Sequence, residues 1–118
     1  MRFRGILDTI TRVRGVRGAM IVGYQDGLVI SDSLMEDVRG NAVAALTSSL
    51  TKHVANVTSA SGAGAPQFLH LQAARGALLA VVGGGGEGAE ILVVAIADPS
   101  VNVGLVRLEL IRAAEAVK

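Results

Sequence analysis

The order in which helical and strand spacing alternate along this chain limits what it can fold into. Phe3, Ile6, Leu7, Ile10 and Val13 recur at intervals of three and four, the apolar stripe of a short helix. Gly15 and Gly18 punctuate its end. Residues 19–24 (Ala-Met-Ile-Val-Gly-Tyr) read as a strand. Asp26-Gly27 is a hairpin signal, because the turn needs a positive φ that glycine supplies without strain. Residues 28–31 are the return strand, and Ser31-Asp32-Ser33 is a polar break. One long helix spans about Met35 to Ser61, strands follow over 67–73, 77–82 and 91–97, and a closing helix runs to Lys118. This αββαβββα order leaves no place for a nucleotide loop, a metal site or a nucleophile.

At 118 residues the chain makes one domain, 1–118, around one hydrophobic core. Hydrophobic residues are 51% but aromatics only 3%, so that core is built from Val, Leu, Ile and Ala. Mean hydropathy is high, at +0.52, and raises the question of a membrane. The strongest apolar run, Ile91–Ala97, lies between Glu90 and Asp98 and is far short of the roughly 20 residues a spanning helix needs. The stretch from Gly76 to Ala97 carries Glu87, Glu90 and a four-glycine run, so it does not span either. The excess apolarity is therefore buried in the core or between chains, which points to an oligomer.

The chain has no Cys, which removes disulfides and thiolate chemistry and fits a cytoplasmic location. The N-terminus is basic, but no apolar signal core follows it. The net charge of +1 calls for no nucleic acid. Five basic residues, Arg2, Arg4, Arg12, Arg14 and Arg17, nevertheless cluster against Asp8 alone and read as a solvated helix face.

The long helix has two unlike sides. Val38, Val43, Leu46, Leu50, Val54 and Val57 can line the one that packs inward. Asn41, Ala45, Ser48, Ser49, Lys52, Ala55, Asn56 and Ser59 form a small, weakly charged side suited to close approach by a partner. Residues 61–66 (Ser-Gly-Ala-Gly-Ala-Pro) are a loop. Over 67–73 the pattern alternates, with Leu69, Leu71 and Ala73 on one face and Phe68, His70 and Gln72 on the other. Ile91–Ala97 is the most apolar strand and therefore the central one. Asp98-Pro99-Ser100 stops it, with Ser100 a cap for the last helix. Val103, Val106, Leu108, Leu110, Ile111 and Val117 make that helix apolar over most of its girth, leaving Arg107, Arg112, Glu115 and Lys118 as its polar stripe.

Apparent chemical motifs fail on context. Gly83–Gly88 matches G-x-G-x-x-G, but the dinucleotide version opens a helix whose N-terminus holds the phosphates. Here Glu90 and a β-branched strand follow, so a flexible hairpin connection explains the glycines. Ser49-Leu50-Thr51-Lys52 matches S-x-x-K, yet no K-T-G strand accompanies it. His53 and His70 are the only histidines and have no metal-ligand spacing. Glu36 and Asp37 suit the dipole at the start of the long helix. No cofactor, metal or catalytic residue is indicated.

The stretch 18–31 (Gly-Ala-Met-Ile-Val-Gly-Tyr-Gln-Asp-Gly-Leu-Val-Ile-Ser), the long helix after it, the strand 77–82 and the passage 91–108 resemble the Roadblock/LC7 family over about residues 2–117. The resemblance implies an α+β fold: a five-stranded antiparallel sheet with the long helix on one face and the two terminal helices on the other. It also implies a homodimer with one continuous sheet, joined through the third strands and the long helices. Phe68, Leu69, His70 and Leu71 would then lie at the junction, where residues 67–73 otherwise form an edge strand without Pro or Lys to blunt it. Bacterial MglB-like members bind a small Ras-like GTPase and stimulate its hydrolysis by reshaping it; others are scaffolds. The resemblance thus implies a non-catalytic regulator or scaffold. Its GTPase would meet the paired long helices through Asp37, Asn41, Ala45, Ser48, Lys52 and Asn56. The chain ends close to its last helix, without the C-terminal extension of the MglB pattern, which counts against exchange or activating activity more than against binding. The Gly- and Ala-rich composition favours a bacterial origin. A structural assembly module without a GTPase and a small-ligand sensor domain are the alternatives.

Overall fold

The computed structural model describes residues 2–84 and 90–117. Helix α1 (Arg2–Thr11) leads into strands β1 (Val16–Gly23) and β2 (Val29–Leu34), then helix α2 (Gly40–Ala60). Strands β3 (Phe68–Ala73), β4 (Gly76–Gly84) and β5 (Glu90–Ala97) follow, and helix α3 (Val103–Val117) closes the fold. The strands form one antiparallel sheet in the order β2-β1-β5-β4-β3. This is the α+β architecture the sequence implies, with the most apolar strand at its centre and β2 and β3 at its edges.

Strand alternation divides the core in two. Ala19, Ile21, Leu79, Val81, Val93 and Ala95 point to one face, where Leu7 and Ile10 of α1 and Val106 and Leu110 of α3 cover them. Met20, Val22, Ala80, Leu92 and Val94 point to the other, against Ala44 and the flanking Val43, Leu50 and Val54 of α2. The two terminal helices thus share one face and the long helix holds the other.

Four local expectations change. Strand β1 starts at Val16, so Gly18 lies inside it. A Cβ there would fall 2.7 Å from Leu34 Cδ2 and 3.1 Å from Leu34 Cα, so only glycine lets β2 approach. Strand β2 continues through Ser31-Asp32-Ser33 to Leu34, paired with residues 18–21, because an edge strand tolerates polar residues on its open side. Helix α2 starts at Gly40 and not near Met35, since the chain needs residues 35–39 to cross from the β2 edge onto the sheet face. Glu36 and Asp37 are therefore outside the helix, whose first turn holds no acidic residue. Asn102 caps α3 in place of Ser100, its Oδ1 accepting from the Leu105 amide at 3.0 Å.

Gly83 and Gly84 end β4; the rest of the Gly83–Gly88 connection, with Glu87, and Lys118 of the last helix's polar stripe lie outside the described residues. Leu92 is fully buried on the central strand. Leu92→Ala is expected to lower unfolding free energy by about 2–5 kcal/mol, read as a drop in the urea midpoint.

Candidate protein-docking surfaces

The strip of α2 closest to its own sheet runs between the two sides the sequence sets apart and shares only Ser48 with the small one. Ala44, Thr47, Ser48 and Thr51 are its buried residues. Polar groups survive there because they are satisfied locally: Thr51 Oγ1 donates to the Thr47 carbonyl at 2.8 Å. Their small size lets the helix lie against the loop between β1 and β2. Gly27, at φ +68°, sits so near that a Cβ would fall 3.1 Å from Ala45 Cα and 3.3 Å from Ser48 Cβ.

Two hydrogen bonds tie this loop down. Ser48 Oγ donates to the Tyr24 carbonyl and Lys52 Nζ to the Gln25 carbonyl, each at 2.6 Å. Inside the loop, the Gly23 amide donates to the Leu28 carbonyl at 2.9 Å, and the Leu28 amide to Asp26 Oδ1 at 3.0 Å.

The six helix positions expected to meet a partner are thus not equivalent. Asn41, Ala45 and Asn56 are exposed. Ser48 is turned inward, and the Lys52 ammonium is held by the loop. Asp37 precedes the helix and pairs with Arg17. That ion pair accounts for one member of the N-terminal basic cluster; Arg4 reaches the Asp32 carbonyl at 3.5 Å, while Arg12 and Arg14 are exposed.

The apolar side of α2 is only partly covered. Val43, Leu50 and Val54 are half-buried, whereas Leu46 and Val57 are 70% and 66% exposed. Spacing alone does not show which side of a helix meets its sheet when both lack charge. The signal for Leu46 was present as an apolar stripe too wide for one narrow contact.

On the edge strand β3, Leu69 is buried beneath the α2 face and Leu71 is 45% exposed. Phe68 packs on the opposite face, with the Arg107 guanidinium carbon 5.2 Å from its ring centre. His70 is exposed, its Nε2 lying 3.2 Å from Gln72 Oε1. Strand β3 pairs with β4 alone, so its outer backbone groups are open.

Ligand chemistry has little to build on. Among the described residues no three His, Cys, Asp or Glu side chains come together as metal ligands. A cleft of about 310 Å³ lies between the β3–β4 pair and α3, lined by Phe68, Gly83, Arg107, Ile111 and Glu115 among others. Among the described residues no helix is long and apolar enough to cross a membrane.

The family profile of the Roadblock/LC7 domain matches residues 4–95. This chain belongs to the Roadblock/LC7 family. An uncharacterized protein of Methanocaldococcus jannaschii is 31% identical over 113 residues, covering 96% of this chain and 94% of that protein. A second from the same organism is 32% identical, covering 96% and 91%. Their source is archaeal, so the bacterial origin favoured by composition rests on composition alone. Among solved structures, an MglB with a tetrameric arrangement superimposes with a TM-score of 0.86 at 23% identity, over 98% of this chain and 85% of that one. Myxococcus xanthus MglB gives 0.84 at 19% identity, over 98% and 91%. These structures share the Roadblock/LC7 fold with this chain.

Gly27→Ala is expected to destabilise the protein by about 1–3 kcal/mol, through its positive φ and the clash with the Ala45 backbone. Thermal unfolding monitored by circular dichroism checks this.

Proposed function

We propose that this protein is a non-catalytic, homodimeric regulator or scaffold that binds a small Ras-like GTPase. Membership of the Roadblock/LC7 family over residues 4–95, with an MglB-like fold over nearly the whole chain, is the observation that carries this reading. The surface properties support self-association. A flank of α2 bearing Leu46 and Val57 lies bare, and β3 is an open edge of the sheet. A second copy placed there would cover the apolar flank and satisfy the backbone groups of β3 together. Phe68, Leu69, His70 and Leu71 would then lie at the junction. Leu46→Asp is expected to yield a monomer at micromolar concentration while the folded spectrum persists, because Leu46 touches solvent in the single chain. Sedimentation showing an unchanged dimer would refute this arrangement.

Dimerisation through that flank leaves the other exposed side of α2 outward, with Asn41, Ala45 and Asn56 on it. Its small side chains permit a GTPase to approach closely. Binding is expected to favour the GTP state, whose switch loops are ordered by the γ-phosphate. A GTPase lying across the two-fold axis would occlude the second patch, giving one GTPase per two chains. Ala45→Arg is expected to weaken binding at least tenfold with the dimer intact, measured by calorimetry against each Ras-like GTPase of the source organism. If the parent binds none, the assembly-module reading replaces this one. The same bare flank favours that alternative, since self-association alone would use it.

A further inference from the structure

We infer that the β1–β2 loop is the second half of the GTPase-docking surface, with Leu28 as its apolar anchor and Ser48 and Lys52 as residues that hold it in position. This rests on the GTPase-binding reading above. Leu28 is 64% exposed, although it follows a turn whose backbone is bonded at both ends. Large exposed side chains on mobile loops lose rotamer and backbone freedom when a partner orders them. Here that freedom is already restricted. The Leu28 amide and carbonyl are both engaged, and Gly27 lies against Ala45. The two α2 side chains bond to the carbonyls of Tyr24 and Gln25. A preorganised apolar residue beside exposed Gln25 and Asp26 has the form of an interface anchor with a polar rim.

The arrangement also selects the occupant. Strand β2, into which the loop runs, is at the opposite end of the sheet from β3. On α2, Lys52 and Leu46 are about a third of a turn apart at 3.6 residues per turn, so the loop and the bare apolar flank lie on different sides of the helix. A second copy docked on β3 and that flank therefore leaves Leu28 uncovered. The loop is instead continuous with the outward Ala45 side of α2, since Gly27 touches it. One globular partner seated on Ala45 reaches Leu28 as well. Lys52 acts on the partner through the loop, because its ammonium is held by Gln25.

The test uses the full chain with each small Ras-like GTPase of the source organism, loaded with a non-hydrolysable GTP analogue. Leu28→Ser is expected to weaken binding at least tenfold, with dimer mass and amide exchange of residues 25–28 unchanged. Lys52→Met is expected to speed exchange of those amides severalfold and to weaken binding by a smaller factor. If Ala45→Arg abolishes binding while Leu28→Ser binds as the parent does, the loop has no role and the GTPase reading stands. If Leu28→Ser changes the oligomeric mass, the loop is a contact between copies and the inference falls. If the parent binds no GTPase, this inference and the functional reading fall together.

Discussion

The close approach of α2 to the β1–β2 loop governs how the long-helix face of this domain is shared out. The helix comes near only because Gly27 has no side chain and Ala45 and Ser48 have small ones. Any larger residue at these positions would lift the helix away from Met20 and Val22, the buried strand residues beneath it. The helix thereby seats Ala44, Thr47, Ser48 and Thr51 inward, with Val43, Leu50 and Val54 half-buried beside them, and leaves Leu46 and Val57 bare. Hydrophobic burial alone would favour a rotation that also covered Leu46 and Val57. Shape fixes the orientation, and the bare flank follows from it.

The sheet separates its tasks by face. The side under α1 and α3 is closed by two helices and carries much of the core, including Leu7, Ile10, Val106 and Leu110. The side under α2 is closed by one helix, and it is there that exposed apolar side chains meet an open strand edge. The well-covered core and the bare apolar flank therefore lie on opposite faces of the same strands.

Much of the fold was legible because its signals are local. Asp26-Gly27 marks a turn by backbone chemistry, and Leu69 and Phe68 alternate between the two cores as their spacing requires. The central place of Ile91–Ala97 followed from its unbroken apolarity. Legibility ended where two segments distant in sequence meet. Nothing near Ser48 announces the Tyr24 carbonyl, and nothing near Asp37 announces Arg17. Leu28 reads from the sequence as the first residue of the return strand, whereas β2 starts at Val29 and Leu28 belongs to the loop. Its meaning comes from the loop that holds it.

The register of β1 against β2 carries a consequence for assembly. Val22 opposes Val29 and Ile21 opposes Ser31, so Ile30 is an extra residue with no counterpart. Such an insertion bends the strand and breaks its run of evenly presented donors and acceptors. Joining two copies at β3 would place a β2 strand at each outer end of the doubled sheet. A straight β2 could recruit further copies, and growth would continue as an open fibre. The kinked one offers a poor template, so a sheet doubled at β3 would stop at both ends.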